Sequence, residues 1–251
     1  MKKALIYTII IIIFFGFAPQ LVSALQQAQS GEQSRTAQIK IISNITYASR
    51  YIWRGFDTIY PNRPALEPSI TLSLEKEGLW FSLWSAIALA DTNYVELDFI
   101  FGYDKELNEK MSLCSGIGLF TFPSFPSYPD KNSVSPEVCL GARFASTLFS
   151  PEIMSYYDFN LGEGFYFTMK LSRSLLILKK RLSLYSILGY TTQYKKIGVK
   201  SGWSDISLGI STDFTYSKFT FTPCANYVIT LNKTINKENE FWVGLGVSLQ
   251  P

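Results

Sequence analysis

Val95-Glu96-Leu97-Asp98-Phe99-Ile100-Phe101-Gly102-Tyr103-Asp104 places an apolar or aromatic side chain at every odd position and, Ile100 apart, a carboxylate or glycine at every even one. Side chains of an extended chain alternate between two faces, so this stretch is a strand with one apolar and one wet face. The pattern recurs on both sides. Leu66, Ile70, Leu72 and Leu74 oppose Glu67, Ser69, Thr71, Ser73 and Glu75, while Ile39, Ile41, Ile45, Tyr47, Tyr51 and Trp53 oppose Lys40, Asn44, Thr46, Arg50 and Arg54. Nine further runs, near 79–89, 111–121, 137–145, 152–159, 165–172, 182–191, 205–214, 218–230 and 240–249, bring the total to about twelve strands.

The runs approach the roughly ten residues that a tilted strand needs to cross a bilayer, and an even number of them suits a single-chain bacterial barrel. Connections after odd strands include the long stretches 57–65, 122–135, 192–202 and 232–239, whereas those after even strands, such as 76–78 and 215–217, are tight. Long outer loops and short periplasmic turns give that alternation. The expected fold is therefore all-β, an antiparallel transmembrane barrel of about twelve strands with both termini in the periplasm. A soluble sandwich or lipocalin-like barrel reverses the faces and shares the alternation. Against it, Glu96, Asp98, Arg143, Lys170 and Asp213 are outnumbered on the wet face by Ser, Thr, Gly, Tyr and Trp, which suits a lumen better than a solvated surface.

Three segments organise the chain. Residues 1–24 read as a signal peptide: Lys2 and Lys3 precede an apolar run from Leu5 to Phe17, and Val22-Ser23-Ala24 offers a small-residue cleavage pattern. Residues 25–38 form a polar, Gln- and Ser-rich flexible leader, and residues 39–251 the barrel. Of 23 basic residues two lie in the signal, leaving 21 against 20 acids and a mature net charge of +1. That balance gives nucleic acid no purchase. Outer-membrane lipid is the expected surrounding, after export through a cleaved signal in a Gram-negative bacterium.

Histidine is absent. A serine or a water activated through imidazole is therefore excluded, and histidine-ligated metals with it; the three cysteines are too scattered for a zinc cluster. No cofactor is expected. A carboxylate-only enzyme ranks last, because acids on a polar lumen face are more often salt-bridge partners than acid and base. A channel or facilitator for small polar solutes ranks first, and a non-conducting structural or adhesive barrel second.

The candidate lumen and rim residues are Arg54, Glu67, Glu96, Asp98, Arg143, Asp158 and Lys170, all on the polar face. Arg54 and Asp158 fall near the same rim, so an ion pair between them is expected, with Glu67 as the nearer fallback. Tyr51 and Trp53, on the other face, read as members of an interfacial aromatic girdle. The run Phe122-Pro123-Ser124-Phe125-Pro126-Ser127-Tyr128-Pro129 favours a stiff extended loop, either at the surface or folded inward as a constriction. Cys114 and Cys139 lie on the polar faces of neighbouring strands and stand almost opposite each other if their hairpin is centred near Pro126, which would permit a disulfide in an oxidising compartment. Cys224 is expected to remain a free thiol.

Ser49-Arg50-Tyr51-Ile52-Trp53-Arg54-Gly55 resembles the opening strand of an uncharacterised family of bacterial outer-membrane proteins, in which a Ser-x-Tyr-x-x-Arg-Gly stretch precedes an extracellular loop. Tyr156-Tyr157-Asp158, with Gly162-Glu163-Gly164 and Phe165-Tyr166, is similar to a hairpin in proteins of that kind. The resemblance implies an outer-membrane barrel and assigns it no activity.

Overall fold

The computed structural model describes residues 39–249 except 75, 90–93, 125–132, 146–147 and 178–179. The signal peptide and leader lie outside the described residues, as does most of the Pro-aromatic loop. Twelve strands form the wall: β1 (Ile39–Ala48), β2 (Ala65–Leu74), β3 (Leu79–Ala88), β4 (Val95–Asn108), β5 (Met111–Ser124), β6 (Ser133–Phe144), β7 (Glu152–Asp158), β8 (Gly164–Ile177), β9 (Lys180–Thr191), β10 (Gly202–Thr212), β11 (Phe219–Thr230) and β12 (Glu240–Leu249). Each pairs antiparallel with its neighbour in sequence, and β12 pairs with β1, so that Ser43 faces Leu249 and Ala48 faces Gly244. The sheet is closed, which leaves no unpaired edge.

Closure with an even number of strands brings Ile39 and Leu249 to one end, the terminal end. Connections after odd strands gather at the other, the loop end. Turns at the terminal end are tight where described: Asn108 pairs with Met111 across two residues. At the loop end residues 49–64 and 231–239 are long, while 159–163 is short.

The faces are those of a barrel in lipid. Phe99, Phe101, Ile117 and Leu140 are 40%, 46%, 58% and 64% exposed on the outside, whereas Glu96, Asp98 and Glu137 are 3%, 2% and 5% exposed on the inside. A continuous apolar band of this kind is incompatible with an aqueous surrounding. Leu97 lies on the outer face and Asp98 on the inner, which rules out the soluble sandwich. An aromatic chain runs round the outside near the loop end of β7 to β10, with Tyr157, Phe165, Phe167, Tyr190 and Trp203 each within 6.4 Å, centroid to centroid, of the next. Rings at this level match the girdle of an outer-membrane barrel.

Two expectations are corrected. β1 ends at Ala48 rather than continuing through Arg54, and Tyr51 is not a girdle residue but is 5% exposed inside the barrel. The chain breaks at Ser49-Arg50 and turns inward, which carries the alternation of 51–54 into the lumen. Cys114 and Cys139 do not face each other either: Cys114 is opposite Gly141 and Cys139 opposite Gly116, and all three cysteines are free thiols. The register has slipped by two residues across the connection 125–132. Diagonal neighbours in a sheet stand roughly 7–8 Å apart, beyond disulfide reach.

Candidate functional site

The inward-turning segment forms a small hairpin, with Ile52 paired to Asp57 and Trp53 to Phe56. Its two-residue tip is Arg54-Gly55, with φ of 51° and 83°. Positive φ at both central residues makes the turn that joins twisted antiparallel strands at this length. Glycine reaches that conformation freely, whereas Arg54 adopts it against its preference, as residues held by their surroundings do. Space tightens the requirement further: a Cβ on Gly55 would stand 3.1 Å from Asp205 on β10.

Contacts along its length hold the hairpin across the lumen. At its root the Arg50 guanidinium pairs with Glu240 of β12. Tyr51 donates its hydroxyl proton to Glu96 of β4 at 3.0 Å and packs with Ile59, Ala65, Ala86, Ala88 and Tyr94. The alanines matter here, since larger residues on β2 and β3 would fill the space the tyrosine takes. Phe56 packs against a second cluster of Tyr166, Tyr194, Val199 and Ile235, drawn from β8 and the loops after β9 and β11. Trp53 stacks on Phe56 and meets Phe120 of β5.

Arg54 completes the crossing. It makes a bidentate pair with Glu137 of β6, Nη1 to Oε2 at 2.5 Å and Nη2 to Oε1 at 2.7 Å. Its guanidinium carbon lies 4.2 Å from the Trp53 ring centroid, 4.3 Å from Tyr156 and 5.0 Å from Tyr166. A planar, weakly hydrated cation suits such an aromatic cage better than an ammonium would. Burial by itself favours the neutral guanidine, but the Glu137 carboxylate outweighs it and holds the group charged, its pKa pushed up.

Beside the hairpin the lumen holds a chamber of about 650 Å³. Arg54, Glu67, Asp98, Arg143 and Lys170 all line it, and Glu96 is buried beside Tyr51 and Tyr94, whose hydroxyls both donate to it. Arg143 pairs with Glu152 at 2.6 Å and Asp104 at 3.0 Å, and the Lys170 ammonium lies 5.8 Å from the Tyr185 centroid. Trp80, Trp84, Tyr185 and Trp242 add aromatic faces. Among the described residues no group of three or more His, Cys, Asp and Glu is placed to hold a metal ion.

Asp158 does something other than expected. It accepts from the backbone N–H groups of Asn160 and Gly162 and from the Ser135 hydroxyl, so it fastens the turn after β7 and is not the partner of Arg54. Glu67, the fallback, does not pair with Arg54 either. The true partner, Glu137, sits directly across the strand pair from Asp158. Its place on the polar face of β6 was legible, but that this position lies opposite a hairpin tip was not. That Tyr156 and Tyr166, which entered only through the hairpin resemblance, and Asp205 gather round the same tip was not legible for the same reason.

A family model described as a bacterial protein of unknown function (Gcw_chp) matches residues 32–240. No curated protein matches the chain. Among solved structures, the KdgM porin is similar with a TM-score of 0.55 at 13% identity, covering 83% of this chain and 98% of that one. The NanC porin gives 0.54 at 13% identity, with 83% and 100% covered. LpxR from Salmonella typhimurium gives 0.55 at 9% identity, with 83% and 99% covered. At these identities the likeness is one of fold alone.

Proposed function

The chain belongs to the Gcw_chp family of bacterial proteins, whose function is unknown, and we propose that this member is an outer-membrane channel for small polar solutes, narrowed by the segment 49–64. The observation that carries the reading is the chamber of about 650 Å³, walled by polar and aromatic side chains inside a barrel whose outside is apolar. In this reading the signal is cleaved near Leu25, both termini are periplasmic and the hairpin enters from the extracellular loop end. KdgM has been solved in complex with disordered oligogalacturonate, which supports passage of small polar solutes through a barrel of this shape without naming the solute here. Catalysis through an imidazole forms no part of the reading, since the chain has no histidine.

The test is conductance of the refolded protein in a planar bilayer. Steady current steps are expected, and Arg54→Ala, which cuts the hairpin tip from Glu137, should enlarge them. The bidentate latch and packed root favour one other reading, a structural barrel closed by its own hairpin. Insertion without current in both proteins would establish that reading and end the channel proposal.

A further inference from the structure

The chamber's charges are unevenly answered. Its wall carries five carboxylates, Glu67, Asp98, Glu137, Glu152 and Asp205, against three bases, Arg54, Arg143 and Lys170. Two of those bases are consumed locally: Arg54 by Glu137, and Arg143 by Glu152 and Asp104. Asp205 is held by the hydroxyls of Ser204, Ser207 and Tyr166. What remains is an acidic arc on β2 and β4, formed by Glu67, Glu96 and Asp98, none of which has an ion-pair partner among the described residues.

Asp98 carries the argument further. It is 2% exposed and lines the chamber, and its Oδ1 has no hydrogen-bond partner among the described residues. A buried carboxylate oxygen left unmatched by the protein is costly, and a guest that donates to it or brings positive charge removes the cost. Trp84 stands directly across the strand pair from Asp98, and Trp80 four residues along the same strand, so the arc is flanked by aromatic faces that attract cations. An anionic solute would meet repulsion from this wall, and the Arg54 guanidinium is already occupied by Glu137.

We propose that the lumen favours cations over anions, with Glu67, Glu96 and Asp98 setting the preference. This rests on the channel reading and specifies what that channel passes. The experiment is the reversal potential of the refolded full-length protein in a bilayer separating concentrated from dilute KCl at alkaline pH, where the carboxyls of the arc are ionised. Wild type should give a potassium-to-chloride permeability ratio of about 3 or more, the preference that a unit charge about 7 Å from the ion path produces in water with salt screening. Glu67→Gln with Asp98→Asn should bring the ratio close to unity, whereas Lys170→Gln, which removes the chamber-lining base that has no ion pair among the described residues, should raise it. A chloride preference in wild type, or a ratio unmoved by the double substitution, overturns the proposal and leaves the channel standing. Current absent from wild type and from Arg54→Ala alike overturns both.

Discussion

Residues 95–103 of β4 and residues 51–57 of the inward hairpin carry similar alternations of bulky and polar side chains, yet they meet opposite surroundings. In β4 the bulky set faces lipid and the acids face the lumen. In the hairpin Tyr51 and Trp53 are themselves in the lumen, packed on Tyr94, Trp84 and Phe120, and Arg54 at the tip is caged by rings. Alternation reports that a backbone is extended; it does not report which medium either face touches. The medium is set by whether the strand joins the wall, and that was decided at Ser49-Arg50, where the chain leaves β1.

The two regions should respond to substitution in different ways. Arg54→Ala leaves Glu137 buried and unpaired, which should weaken docking of the hairpin by roughly 3–5 kcal/mol. Amide exchange of residues 51–58 should accelerate accordingly while that of β4 stays slow, and Arg54→Ala/Glu137→Ala should recover part of the protection. If the single variant leaves hairpin exchange unchanged, the latch is not what holds the segment. In the wall, Leu97→Arg faces lipid and should cost about 2–4 kcal/mol if it lies near the midplane, read from unfolding in vesicles, while Asp98→Asn next to it should cost less. Equal costs at the two positions would contradict the assignment of faces. The smallest effect is expected at Gly55. Gly55→Ala introduces a Cβ at φ 83°, 3.1 Å from Asp205, and should loosen the hairpin by roughly 1 kcal/mol without affecting insertion.

The wall was legible in the sequence because a barrel is written in local terms: each strand declares its faces through its own residues, and strand length and turn spacing supply the rest. Twelve strands, the outward set around Leu97 and the inward Glu96 and Asp98 all follow from that. The site was legible only in part. The sequence reading carries Arg54 inward by extending β1 six residues past Ala48, whereas in the structure an inward-turning hairpin carries it. Glu137, Tyr156 and Asp205 belong to strands distant in sequence and meet Arg54-Gly55 only because the sheet closes. Nothing local to any of them encodes that meeting. The cysteines show the same limit, since a slip of two residues in a connection reassigns every opposed pair along β5 and β6.

The hairpin's anchors also fix when it can order. Arg50 reaches Glu240 across 190 residues of chain, and Arg54 reaches Glu137 across 83. Neither partner is in place until the strands that carry it have joined the sheet, and the root anchor on β12 waits for the final seam, where Ser43 meets Leu249. Interactions so distant along the chain form late, because the entropy of closing the intervening loop must be overcome before they contribute. The first loop to follow a wall strand is therefore among the last parts of the protein to settle, so the lumen is widest during assembly and narrows once the cylinder is complete.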